Sequence, residues 1–172
     1  MVSENVLVKD SCSAGVSKIV SDGIVVKGYF EVEHRRNGEL IARGVHENLV
    51  VNAGKAGIAS RINGDGSEAT FTYLAIGVDG TAADVTQTAL LSETTTGGGQ
   101  RASATCSRVT TTVTNDTAQF VKTWTFSAGF IIYEAGVFNA SSDGTMLARA
   151  VVGPYTVISG DTLALTYQVV TA

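Results

Sequence analysis

Three apolar runs joined by turn-forming residues fill positions 130–172, and this stretch constrains the fold more than any other part of the chain. The last run alternates apolar residues with small or polar ones, the apolar ones being Leu163, Leu165, Tyr167 and Val169. Successive side chains of a strand point to opposite faces, so this alternation predicts a half-buried β-strand. Between the first two runs, Asp143 and Gly144 suit a tight hairpin turn because both residues tolerate positive φ. The stretch therefore predicts an antiparallel meander.

The same pattern recurs earlier in the chain. Further strands are predicted in residues 24–51 (a hairpin), 71–78 (one buried strand) and 101–128 (two long strands). The first hairpin has an Asn37-Gly38 turn, the pair favoured for two-residue connections. In the last pair, the aromatic residues that share one face and should anchor the core are Phe120, Trp124 and Phe126. Strands that follow one another without alternating helices favour an antiparallel β-sandwich or a jelly-roll-like barrel.

Helical spacing is predicted in only two places, residues 52–63 and, as one or two turns, residues 86–93. Asn52 is predicted to cap the first helix, and Gly64 to follow its end. Gly54 and Gly57 each weaken a helix by up to about 1 kcal/mol relative to Ala. We therefore expect these glycines to let the helix lie close against a sheet.

The composition is poor in charge, with 16% charged against 44% hydrophobic residues, where about a quarter charged is usual. Such a surface is typical of chains that pack against other chains, which favours a subunit of an assembly. The net charge of −4 argues against nucleic acid as a partner, because sequence-independent binding needs a basic stripe. No apolar run is long enough to span a membrane, and the N-terminus resembles no secretion signal. We expect folding in a cytoplasm, where Cys12 and Cys106 stay unpaired; a disulfide between them requires the fold to bring them together.

The domain prediction is an N-terminal arm, residues 1–22, followed by a single β-sandwich domain, residues 23–172. The arm is predicted to be either an edge strand or an extension that reaches a neighbouring subunit, and its apolar run Val6, Leu7 and Val8 is predicted to contact a partner. The tip of the first hairpin is crowded with charges, including Arg35 and Arg36. The tip is either a solvated turn with weak local ion pairs or a protruding contact with a partner.

No pattern of catalytic or metal-binding residues is visible. His34 and His46 are predicted to be polar surface or strand-edge residues, because the sequence has no G-x-S-x-G nucleophile elbow. Residues 63–68 lack the full calcium-loop pattern, and neither cysteine has zinc-site spacing. The sequence therefore predicts a protein without enzymatic activity, metal or cofactor.

Glu134 is the one acidic residue that stands out, because it lies inside an apolar stretch. An unpaired buried charge costs several kcal/mol, so Glu134 needs a basic partner. Arg149 on the next strand and Arg101 are the candidates. We expect a buried ion pair that fixes strand register; a catalytic role is the less favoured alternative.

Five runs of residues together resemble structural proteins of tailed bacteriophages. They are Leu49-Val50-Val51-Asn52-Ala53-Gly54, Phe71-Thr72-Tyr73-Leu74-Ala75-Ile76-Gly77-Val78-Asp79-Gly80-Thr81, Thr88-Ala89-Leu90-Leu91-Ser92-Glu93, Glu134-Ala135-Gly136-Val137-Phe138-Asn139-Ala140 and Met146-Leu147-Ala148-Arg149. The resemblance covers roughly residues 45–170, and its last two runs are the most specific. Similar modules occur as capsid decoration (cement) proteins and in tail-fibre or baseplate proteins.

The resemblance implies a virion structural component, and the length favours a cement protein because no fibre shaft follows the domain. Its expected partners are the major capsid protein and further copies of the chain. The resemblance implies a homotrimer, the oligomer usual in that family. It would lie on the capsid surface of the virion after assembly in the host cytoplasm. The alternative is a tail-fibre or baseplate adaptor. A carbohydrate-binding β-sandwich module is less favoured, because the aromatic residues alternate as core residues.

Overall fold

A computed structural model describes residues 25–171, which form ten β-strands and one α-helix. The predicted arm, residues 1–22, lies outside the described residues. In chain order the elements are β1 (Val26–Arg36), β2 (Glu39–Glu47), β3 (Leu49–Val50), α1 (Asn52–Asn63), β4 (Tyr73–Gly77), β5 (Ala102–Ser103), β6 (Thr105–Val109), β7 (Thr117–Thr125), β8 (Phe130–Phe138), β9 (Met146–Val157) and β10 (Thr162–Thr171).

The strands form two antiparallel sheets that pack face to face as a β-sandwich, which confirms the predicted fold class. Sheet A has the order β2-β1-β10-β7-β6, and sheet B has the order β3-β9-β8-β4-β5. The meander predicted for residues 130–172 was therefore wrong for its last strand: β8 pairs with β9 in sheet B, whereas β10 crosses to sheet A and pairs with β1 and β7. Alternate side chains of both sheets fill the space between them, as expected for half-buried strands. The largest core residues include Phe30, Leu74, Ile132, Leu163, Leu165 and Tyr167. The predicted aromatic anchors Phe120, Trp124 and Phe126 are buried in this core.

Both predicted hairpin turns adopt the backbone conformation that their residues favour. Asn37 and Gly38 have φ of 52° and 85°, and they join β1 to β2. Asp143 and Gly144 have φ of 50° and 72° between β8 and β9. Positive φ is accessible to Asn, Asp and Gly at low cost, so the turn chemistry decides where these strands reverse.

Helix α1 has the predicted bounds, and Gly64 ends it in the left-handed conformation. The predicted cap was wrong: Val51 precedes the helix as its cap, and no side chain caps the first turn. The position is set by tertiary contacts, since the Val51 N–H donates to Leu147 O and the Asn52 N–H to Val85 O. The expected close approach is present at Gly54, where an added Cβ would lie 2.1 Å from Leu147 O.

The outer face of sheet B is covered by a second, smaller core. It consists of Val51, Ala75, Leu90, Phe138 and Met146. Leu90 comes from the segment of residues 78–101, for which one or two helical turns were predicted at 86–93. That prediction was wrong: these residues form turns and a single bridge between Glu93 and Gly77. Both faces of sheet B are therefore buried over residues 134–138 of β8 and 146–150 of β9. The helix of the described residues is too short and too polar to cross a membrane.

Candidate functional site

The predicted ion pair between Glu134 and Arg149 is present, and both side chains are fully buried. Arg149 Nε donates to Glu134 Oε2 at 2.7 Å. The two residues lie on β8 and β9, on the face of sheet B that the segment 78–101 covers. Arg149 Nη1 donates to Thr81 O at 2.9 Å, and Glu134 accepts from the Ser92 N–H at 2.7 Å. The pair is thus a fastening point for that segment.

Arg101, the other candidate partner, contacts a different acid. Its Nε donates to Glu93 Oε1 at 2.9 Å, and its guanidinium carbon lies 3.6 Å from the centroid of the Phe138 ring. Arg101 Nη1 also donates to Asp143 O at 2.8 Å. These contacts join the end of the segment 78–101 to the β8–β9 turn, so the arginine is engaged in structural contacts.

A second charged network joins the first hairpin to the β9–β10 turn. Asp161, 1% exposed, accepts from Arg36 through Nε (2.9 Å) and Nη2 (2.8 Å). Its Oδ2 lies 2.8 Å from His34 Nε2 and accepts from the Ile158 N–H at 3.0 Å. The Arg36 guanidinium, assisted by the other two donors, holds the pKa of Asp161 well below its usual range.

The surface position predicted for His34 was wrong, because this residue is 2% exposed. It follows Phe30 and Val32 at alternate positions of β1, which places it on the same inward face. That alternation was visible in the sequence. The sequence did not reveal Asp161, which lies 127 positions away. Its contact with the His34 ring offsets the cost of removing the imidazole from water.

Exposed aliphatic side chains lie around this network. Leu40 is paired with Arg35 across the hairpin, and Ile41 follows it. Ile158 belongs to the turn that Asp161 closes. Ile131 is paired with Thr156, whose carbonyl accepts from Arg36 Nη2 at 3.5 Å. These four aliphatic residues, between 45% and 51% exposed, together with Arg36 form what we call the Arg36 surface.

His46 and a polar cleft beside Arg101 are two further features of the described residues. His46 on edge strand β2 is hydrogen-bonded to the Tyr155 hydroxyl at 3.0 Å, and burial lowers its pKa. In the described part of the chain, neither histidine is hydrogen-bonded to a Ser, Thr or Cys side chain, and no three metal-ligating side chains cluster. A cleft of about 610 Å³ beside Arg101 is lined by hydroxyl, amide and carboxylate side chains.

The predicted partner-contact residues fall into two groups. Val6, Leu7 and Val8 lie outside the described residues. Arg35 is partly exposed and pairs with Glu33, whereas Arg36 is tied to Asp161.

Cys106 is exposed on β6; Cys12 is outside the described residues, so their pairing stays untested. Comparison with protein-family models, with curated proteins and with solved structures finds no match to this chain.

Proposed function

We propose that the protein is a bacteriophage capsid decoration (cement) protein that binds the assembled shell through its Arg36 surface and performs no chemistry. Its partner would be the major capsid protein, and its place the outer surface of the virion. The observation that carries the proposal is that four half-exposed aliphatic residues lie on or beside the strands and the turn that hold Arg36, whose guanidinium is fixed by Asp161. The sequence resemblance to tailed-phage structural proteins supplies the identity of the partner.

A surface of this kind gains free energy when another protein covers it. Burying aliphatic surface contributes a favourable free energy of roughly 25 cal/mol per Å². Arginine is enriched among the residues that dominate binding energy at interfaces. Arg36 is held by two hydrogen bonds to Asp161 while its side chain stays 36% exposed, so little rotamer entropy remains to be lost on binding. A preorganised arginine within an apolar rim suits adhesion to another protein.

Adhesion alone is enough to stabilise a shell. A protein that binds the assembled lattice, and not its free subunits, shifts the assembly equilibrium toward the lattice by mass action. A symmetric homo-oligomer would place several copies of the Arg36 surface on one lattice position, which multiplies the effect through effective concentration. The trimer expected from the resemblance suits a capsid three-fold position.

The test uses phage particles produced without this protein, to which purified full-length protein is added. Replacing Ile131 and Ile158 together by Ser is expected to lower occupancy on the particles at least about tenfold, because both aliphatic contacts are lost. The matched control is Val113→Ser. Val113 is 67% exposed and lies in the β6–β7 connection, at the opposite end of sheet A from the Arg36 surface.

Circular dichroism and thermal unfolding verify that both variants remain folded. Equal occupancy for the double variant and the control would overturn the role of the Arg36 surface. Imaging of the decorated particles separates the alternatives: density on capsid axes supports a cement protein, and density on the tail supports the fibre or baseplate adaptor. A glycan-binding screen tests the carbohydrate-binding module.

A further inference from the structure

Arg36 holds Asp161 with one edge of its guanidinium and turns another edge away from it. Nε donates to Asp161 Oδ1 at 2.9 Å and Nη2 donates to Oδ2 at 2.8 Å, which is a side-on bidentate pair. An arginine has five N–H donors in one plane, so this pair engages only two of them. The edge that carries Nη1 faces away from Asp161, and 36% of the side chain is exposed. Arg36 can therefore donate to a second acceptor without releasing Asp161.

The charges around Arg36 do not favour an anion as that second acceptor. Residues 31–43 and the turn 156–161 together hold three arginines and four carboxylates, a net charge of −1 with His34 counted as neutral. The other two arginines are also paired with carboxylates of the same hairpin. The whole chain carries a net charge of −4. A carboxylate on a partner protein would thus approach a region that is already negative.

Asp161 itself weakens the attraction between Arg36 and a second carboxylate. Coulomb energy falls only as the inverse of distance, so an anion at Nη1 is also repelled by Asp161 on the far side of the guanidinium. Asp161 is 1% exposed, and buried charges are screened little by salt. The incoming carboxylate would also lose water beside the aliphatic residues of the Arg36 surface. A carbonyl oxygen has no net charge to be repelled, yet a cationic donor forms a strong hydrogen bond with it.

We propose that Arg36 recognises uncharged carbonyl oxygens on its partner, set among apolar side chains that cover the aliphatic residues of the Arg36 surface. The inference rests on the proposed function, in which that partner is the major capsid protein, and it specifies the chemistry of the contact. The partner then needs no acidic residue opposite Arg36, and salt has little effect on binding. A carboxylate in that place would make binding weaken as salt screens the charges.

The salt dependence of binding to particles that lack this protein tests the inference with the unmodified chain. Between about 50 and about 500 mM NaCl, we expect affinity to weaken less than about twofold, because salt screens charge pairs and not carbonyl or apolar contacts. Arg36→Lys keeps the charge but lacks the planar fork, so it should bind at least about threefold more weakly at both salt concentrations. The matched control is Arg35→Lys, since Arg35 forms an exposed pair with Glu33 that contributes little.

Thermal unfolding verifies that both variants are folded, and the salt titration tests the inference by itself if Arg36→Lys unfolds. Affinity that weakens about twofold or more with salt would overturn the inference and indicate a carboxylate partner. A folded Arg36→Lys variant that binds as tightly as Arg35→Lys would overturn it as well. The double Ser variant of Ile131 and Ile158 separates these failures from failure of the proposed function. If that variant loses occupancy, the surface still binds and only the carbonyl contact is rejected; if it binds normally, the proposed function fails.

Discussion

At the scale of single residues, this protein places charged groups in its interior and gives each a partner from a distant part of the chain. Glu134 and Arg149 lie beneath the segment 78–101, and Asp161 joins His34 to Arg36. A buried charge that loses its partner costs more than the pair contributes while intact. Substitutions that remove one member therefore measure how strongly the surrounding structure depends on the contact.

Replacing Glu134 by Gln is expected to lower the free energy of unfolding by about 3–5 kcal/mol, since Arg149 is left as an unpaired charge at a fully buried position. Urea unfolding at neutral pH measures the change. The control is Glu33→Gln, which breaks an exposed pair with Arg35 and should cost less than about 1 kcal/mol. Equal effects of the two substitutions would contradict the buried-pair interpretation.

Asp161 makes stability dependent on pH in one direction. Its pKa in the folded state lies below its usual range because of Arg36, so its contribution is complete above the ordinary carboxyl pKa of about 4 and is lost as the pH falls further. Asp161→Asn should lower stability at pH 7 and flatten the loss of stability between pH 5 and pH 2. Urea unfolding across this range provides the test, with Asp143→Asn at an exposed turn as control. A variant curve parallel to the wild-type curve would refute the assignment.

At the scale of elements, tertiary packing explains residues that helix propensity alone would disfavour. Helix α1 contains two glycines on its buried side, Gly54 and Gly57. Leu147 backbone atoms lie directly against Gly54, whereas the ring edge of Phe71 lies against Gly57. The two glycines lower the helix propensity of α1. They also allow close contact between α1 and β9, the strand that carries Arg149. The same contact helps to bury the outer face of sheet B.

Gly54→Ala is expected to destabilise the protein by about 1–3 kcal/mol, although alanine is the better helix former. The added methyl group would collide with the Leu147 carbonyl, and backbone atoms cannot move aside. Gly57→Ala is the comparison, because a new Cβ would lie 2.8 Å from Phe71 Cζ, an atom that side-chain rotation can displace. Thermal and urea unfolding should rank Gly54→Ala as the more damaging; the reverse ranking would reject this account.

At the scale of the whole molecule, the two sheets differ in how they meet their surroundings. Part of the outer face of sheet B, around Val51, Ala75, Leu90, Phe138 and Met146, is buried beneath the start of α1 and the segment 78–101. Within residues 25–171 no element covers the outer face of sheet A, and polar side chains are hydrogen-bonded across it. Gln168 Nε2 donates to Gln119 Oε1 at 2.6 Å, and Gln119 Nε2 donates to Ser107 Oγ at 3.3 Å. Among the described residues, β2 and β6 are the edge strands of sheet A, and their outer edges have no paired strand. An unpaired strand edge can pair with another chain, so this sheet is the side that suits contact with other copies.

The homo-oligomer prediction is tested by the mass in solution. Analytical ultracentrifugation of the full-length protein is expected to give a species of three chains of 17.8 kDa each, which the phage resemblance implies. Val45→Lys on the outer edge of β2 tests the contribution of that edge, since edge lysines oppose strand pairing between molecules. A monomer at all concentrations would contradict the oligomer, and an unchanged trimer in the variant would exclude the β2 edge from its interface.

The sequence by itself determined most of the strands, both hairpin turns and the bounds of the helix, because alternation, Asn-Gly and Asp-Gly pairs and a terminal glycine act over a few neighbouring residues. It predicted as one long strand the residues that the structure divides into β5 of sheet B and β6 of sheet A. It also identified Glu134 as an acid in need of a partner. Only the tertiary structure decided that Arg149 is that partner, that His34 is buried against Asp161, and that residues 86–93 are not helical. Those outcomes depend on contacts between segments up to 127 positions apart, and their energies appear only once the sheets have packed.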